Sequence, residues 1–226
     1  MSPVSRYGKP ADLPPSLPVF PLRGAIVLPR AALPLNIFEP RYLAMLNDVI
    51  SGSRVFGMVQ PADAAEGVES PLGKATKLRR IGCAGRVTAY QELDDGRLLI
   101  TLTGVARFNI VREIASVTPY RICEVDYEPF AGDFEAGRGE NAVDRDRLLK
   151  ALEAYLQHRQ MKADWRAIST ATTEFLVNAL SVISPHGPEE KQALLEAPDL
   201  PARADILITL AEMDVAGGGG ETSTLQ

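Results

Sequence analysis

Residues 17–42, LPVFPLRGAIVLPRAALPLNIFEPRY, decide how the rest of the chain is read. Val19, Phe20 and Leu22 are apolar but bounded by Pro18 and Pro21. Proline cannot donate to a β-ladder, so a short strand at a sheet edge is predicted. Leu33, Leu35 and Ile37 alternate with polar or bent positions, the pattern of a half-buried strand. Pro40 suits the first helical position, where its missing N–H costs nothing, and Glu39 sets negative charge at the positive end of that helix. Tyr42, Leu46 and Val49 recur at helical spacing and predict a helix over residues 40–50, stopped by Ser51 and Gly52. In this local frame Glu39, Arg41 and Tyr42 fix the helix against the sheet, and gripping a ligand is the second reading.

The strands continue downstream. Residues 54–60, RVFGMVQ, form a strand in which Gly57 marks a bulge or a close approach. Residues 61–77 lack periodicity and read as a surface loop. From residue 78 to 127 the pattern is almost wholly strand: 81–90, then 98–103 after a turn at Asp94, Asp95 and Gly96, then 105–114 opened by Gly104, then 120–127. Asp-Gly is a strong hairpin signal, and connections this short exclude helical crossovers, so antiparallel pairing is expected. Residues 128–141 are glycine-rich, acidic and aperiodic, a linker by composition. Beyond it the period becomes helical. A first helix spans residues 142–160, with Leu148, Leu149, Leu152, Tyr155 and Leu156 at helical intervals. A second, capped by Asp164, carries Trp165, Phe175 and Leu180, and Trp165 is expected to pack inside. Two more follow, one from Pro188 and one from Asp199 to about Met213. Strands before helices make an α+β class.

The 226 residues carry a net charge of −5, spread unevenly: residues 1–127 sum to +3 and residues 128–226 to −8. That balance gives no broad nucleic-acid footprint. Lys74, Lys77, Arg79 and Arg80 form the one basic cluster, without the interleaved aromatics of a stacking platform. No run approaches the length of a membrane span and the N-terminus has no apolar signal core, so a cytoplasmic protein with no membrane association is expected. Cys83 and Cys123 lie far apart inside apolar runs and read as buried thiols. Residues 1–16 are proline-rich and polar, read as a mobile tail, and residues 216–226 as a flexible one.

Motifs for chemistry are missing. Gly73-Lys74 is followed by Ala75 and preceded by no glycine at the phosphate-loop spacing; there is no nucleophile elbow and no paired metal-binding histidines. His158 sits by a helix end and His186 in a turn. Neither cofactor, metal nor catalytic residue is expected, and the chain should hydrolyse neither ATP nor casein.

The residues that open this reading also resemble the start of the LON substrate-binding domain, the N-terminal domain of ATP-dependent Lon proteases. The likeness lies in Pro21-Leu22-Arg23, Val27-Leu28-Pro29, Leu33-Pro34-Leu35 and Ile37-Phe38-Glu39-Pro40-Arg41-Tyr42. It extends through Gly82 and Gly85, Asp95-Gly96-Arg97, Gly104 with Ala106-Arg107-Phe108, and the closing phrase KQALLEAPDLPARADILITLAEM of residues 191–213. The resemblance implies a PUA-like antiparallel β domain over residues 17–127 and a helical bundle over 142–215, separated by the linker at 128–141. It implies non-catalytic recognition of unfolded or misfolded polypeptide, with a protease or chaperone as a further partner. Val19, Phe20, Leu22, Arg41, Tyr42, Arg107 and Phe108 are the candidate contacts. RNA binding through the sheet and a small-molecule cleft between the two parts are the alternatives.

Overall fold

A computed structural model describes residues 6–62 and 76–217. Most of the expected loop at 61–77, Lys74 with it, and the ends of both expected tails lie outside these. Among the described residues, six strands and six α-helices follow one another as β1 (Ser16–Pro21), β2 (Ala32–Ile37), α1 (Pro40–Ser51), β3 (Val55–Val59), β4 (Ile81–Glu92), β5 (Leu98–Ile114), β6 (Arg121–Asp126), α2 (Arg145–His158), α3 (Trp165–Thr170), α4 (Thr173–Ile183), α5 (Pro188–Glu196) and α6 (Leu200–Gly217).

The sheet order is β2-β5-β4-β3-β1-β6, and β6 also pairs with β5, so five strands close into a ring with β2 outside it. One edge of β5 serves both: its residues 98–103 pair with β2 and its residues 109–114 with β6. The expected break before Val105 is absent. Gly104 instead lets the strand run on while the backbone of Leu28 and Pro29 crosses it, too close to leave room for a Cβ. Asp94, Asp95 and Gly96 make the predicted turn between β4 and β5, with Gly96 at φ 82°.

The sheet is mixed, which corrects the antiparallel expectation. β1 pairs parallel with β3, while every other pair of strands is antiparallel. Nor is β1 an edge strand, since it lies between β3 and β6. Its prolines are tolerated because the two neighbours overlap only at Val19: β6 covers residues 16–19 and β3 covers 19–21. Pro18 and Pro21 each face one partner, so each has an open side for its missing donor.

Two apolar clusters form on the two faces of the sheet. The inner one holds Leu17, Val19, Val55, Phe108, Cys123 and Val125, with Tyr7 and Leu13 packed into it. Residues 6–16 are therefore not a free tail; Tyr127 donates its hydroxyl to Pro14 O at 3.1 Å, and Arg86 donates to the Tyr7 hydroxyl at 3.2 Å. A few apolar residues suffice to anchor so short a segment when a ring of strands offers them an end to cover.

The outer cluster is shared by sheet and helices, joining Phe20, Leu28, Tyr42 and Phe56 to Leu176, Val177, Leu194 and Leu207. The segment expected as a linker is built into this junction as 3-10 turns at Glu128–Phe134 and Glu140–Ala142. Its carboxylates meet a buried cation and a helix N–H, which composition alone could not reveal. Asp133 pairs with Arg107 at 2.8 Å, and Glu140 accepts from the Glu174 N–H at 2.7 Å.

Among the helices, Asp164 caps α3 as predicted, accepting from the N–H groups of Arg166 and Ala167. The single helix expected from it is broken at Ala171, and Thr172 caps a new one by accepting from Phe175 N. The run Ser169, Thr170, Ala171, Thr172, Thr173 is rich in hydroxyl and β-branched side chains that favour a cap over an uninterrupted helix. Trp165 is 43% exposed, against the expectation that it packs inside, and Phe175 is exposed as well.

An apolar cleft among the helices as candidate functional site

The structure disperses the candidate contacts. Val19, Phe20, Tyr42 and Phe108 are buried; Phe108 fills the space over Gly57, where an added Cβ would lie 2.7 Å from its ring. This is the close approach predicted at Gly57. Arg107 is buried as well. Its guanidinium pairs with Asp133, donates to Leu195 O at 3.2 Å and to Ala197 O, and lies 4.7 Å over the Phe130 ring. It ties β5 to the end of α5. Arg41 pairs with Glu39 at 2.8 Å and stacks on Tyr42 at 4.5 Å, and Leu22 is half-buried with its N–H on Val59 O. These residues hold the framework together, so a bound chain would not reach five of the seven.

The strand edge also moves. With β1 enclosed, the end of the sheet is β2, and Pro34 lies in its middle, opposite Thr101 of β5. A proline pairs there without harm only where its missing N–H faces away from β5, and that removes a donor from the free edge.

An open apolar surface lies instead within the helical half. A cleft of about 560 Å³ is walled by Leu148, Leu152, Tyr155 and Leu156 of α2, by Leu180 and Ile183 of α4, and by Leu207, Ile208 and Ala211 of α6. The spacing of the α2 residues places them on one face, and that face meets α6 only in part. The turn after α4, with Ser184, Pro185 and His186, and the residues after α2, Arg159 and Met161, complete the wall. This cleft is not between sheet and bundle, the place of the alternative small-molecule site; the shared apolar cluster lies at that boundary.

Charged groups around the cleft are few. His186 is held below the usual histidine range by burial first and by the neighbouring Lys191 charge second. Lys191 is buried and its ammonium donates to Ser181 O and Val182 O at 2.7 Å, capping α4 from α5; burial lowers it to about 8. Arg159 donates to Asp214 at 3.0 Å. The thiols are buried and unpaired, with Cys123 pushed up to about 11 by burial and then Glu113, so neither is a ready nucleophile. No group of three or more metal-ligating side chains occurs among the described residues. In the basic cluster, Arg79 pairs with Glu189 of α5.

The cleft was half legible in the sequence. Leu148, Leu152, Tyr155 and Leu180 carried a helical period that marked an apolar face. Met161, Pro185 and His186 carried no signal, because they join the wall only through the turns that bring α2, α4 and α6 together.

Residues 16–212 match the model of the ATP-dependent protease La (LON) substrate-binding domain. The chain belongs to this family. It is 28% identical over 208 residues to the Lon protease of Flavobacterium johnsoniae, covering 90% of this chain and 24% of that protein. It is 26% identical over 200 residues to Lon protease 2 of Myxococcus xanthus, covering 88% and 24%. The chain thus spans about a quarter of the length of the curated relatives it matches. Among solved structures, the N-terminal domain of the Mycobacterium avium complex Lon protease superposes with a TM-score of 0.64 at 20% identity, over 87% of this chain and 98% of that one. The Lon N-terminal domain protein from Xanthomonas campestris gives 0.59 at 22% identity, over 86% and 97%. Both support the mixed α+β fold of this LON domain. The matched region is the substrate-binding domain, and not a protease or ATPase module. No helix among the described residues is long and apolar enough to cross a membrane.

Proposed function

We propose that this LON domain binds unfolded or misfolded polypeptide without acting on it chemically, and that a protease or chaperone takes up what it holds. The observation that carries this reading is the cleft of about 560 Å³ between α2, α4 and α6, whose wall is largely apolar and open. Open concave apolar surface suits apolar side chains that a folded protein would hide. Two apolar side chains of α4 are open to solvent: Ile183, in the wall, is 67% exposed, and Phe175, two turns earlier, is exposed too. A client would therefore lie across the cleft and along α4, while the ring, read here as PUA-like, serves as scaffold. Binding should be weak, since an extended client loses conformational entropy as it docks.

The test is a titration of a chemically unfolded, carboxymethylated protein against the whole chain and against Ile183→Glu. Ile183 is exposed, so its replacement leaves the fold intact, and loss of binding in the variant is the expected result. Equal binding by both proteins would place the client elsewhere, and no binding by either would end the reading. Single-stranded RNA in the same assay should show no salt-resistant binding.

A further inference from the structure

The ionisable groups that line the cleft are Tyr155, Arg159 and His186, and no Asp or Glu of the described residues is part of its wall. Arg159 follows the last turn of α2, half exposed, with its guanidinium 5.7 Å from the Tyr155 ring. Its Nη2 already holds one carboxylate. That carboxylate is Asp214 Oδ2, from the last turns of α6, where the sequence around it reads Leu210, Ala211, Glu212, Met213, Asp214, Val215. The chain's own contact at this place is thus an acidic side chain set among apolar ones.

From this arrangement we infer that the cleft selects apolar client segments containing an acidic side chain, that Arg159 is the residue that reads it, and that Asp214 is its resident competitor. The inference rests on the cleft being the client site. An ion pair between two half-exposed groups is weak and readily exchanged, so a client carboxylate can displace Asp214. A client lying over the cleft also excludes water from its wall, which strengthens the new pair relative to the one it replaces. A lysine at the same point of the client would meet the guanidinium as a like charge, and that repulsion discriminates against it.

The experiment measures fluorescence anisotropy of end-blocked peptides of Leu, Phe and Ala that carry a single central Asp, Asn or Lys, titrated with the whole chain. The Asp peptide should bind roughly two- to fivefold tighter than the Asn peptide, the scale of an exposed ion pair, and the Lys peptide weakest. Arg159→Gln should erase the difference between Asp and Asn, Arg159→Lys should keep part of it, and Asp214→Asn should widen it. Circular dichroism melts establish that the variants are folded. Equal binding of the Asp and Asn peptides overturns the selection while the polypeptide reading stands. An Asp preference that survives Arg159→Gln overturns the role given to Arg159. Failure of every peptide to bind ends the polypeptide reading and this inference together.

Discussion

The ring of strands and the helical half use the same apolar residues to opposite ends. In the ring, Val19, Val55 and Phe108 are closed off on every side, and the segment at residues 6–16 covers what the strands leave open. In the helical half, Leu148 and Leu152 are just as regularly spaced and nearly as buried, yet the face they belong to opens into a cleft. Apolar periodicity states that a face will avoid water. Whether the chain itself supplies the cover is a matter of how the elements meet.

That contrast can be broken most forcefully at Arg107. Its buried pair with Asp133 joins β5 to the junction segment and the end of α5, and removing one partner of such a pair costs about 3–5 kcal/mol. Arg107→Ala should therefore lower the melting temperature by roughly 10 °C, at about 2–4 °C per kcal/mol for a chain of this size. A small shift would mean that the ring and the helices do not depend on this tie.

At the cleft the larger effect should fall on binding. Ile183→Glu should weaken capture of an unfolded protein at least about tenfold, matching the loss of ~1.5 kcal/mol or more of apolar contact. Chemical denaturation of the same variant should give a stability within about 0.5 kcal/mol of the parent, as for an exposed position.

Lys191 sharpens the comparison through pH. Its folded value is lowered to about 8 from an ordinary 10.5, so between those values the unfolded chain holds a proton that the folded chain has released. More protons bound in the unfolded state means stability that rises with pH in that window. The thiols, whose folded values are raised, act in the opposite direction there, so the quantity to follow is the difference between the parent and Lys191→Met. The parent should gain on the variant from about pH 8 to 10.5. A flat difference would show that burial does not strain this ammonium. The smallest effect is expected at Trp165. At 43% exposure, Trp165→Ala should cost under about 1 kcal/mol in a thermal melt, well short of the ~3–5 kcal/mol typical of a buried aromatic.

The prolines of β1 carry a local signal that the tertiary arrangement overrides. Pro18 and Pro21 state that a donor is missing, which at the level of one strand means an edge. Only the staggered reach of β3 and β6 along β1 shows that an interior strand can have a local edge at each proline. The segment at residues 128–141 is the parallel case. Glycine and acidic side chains serve a flexible linker and an ordered turn equally well, and the presence of Arg107 opposite Asp133 decides between them.

What the sequence determined by itself is local or self-contained: the helix that begins at Pro40, the Asp-Gly turn of the long hairpin, the cap at Asp164, the order of strands before helices, and the family likeness carried by contiguous phrases. These depend on neighbours within a few residues, where backbone angles and hydrogen-bond donors suffice. Tertiary structure alone decided that β1 is enclosed, that Arg107 and Phe108 are framework, that Trp165 faces solvent, and that the open apolar surface lies among α2, α4 and α6. Those outcomes depend on which distant element arrives to cover a face, and burial is a property of the pair of surfaces that meet.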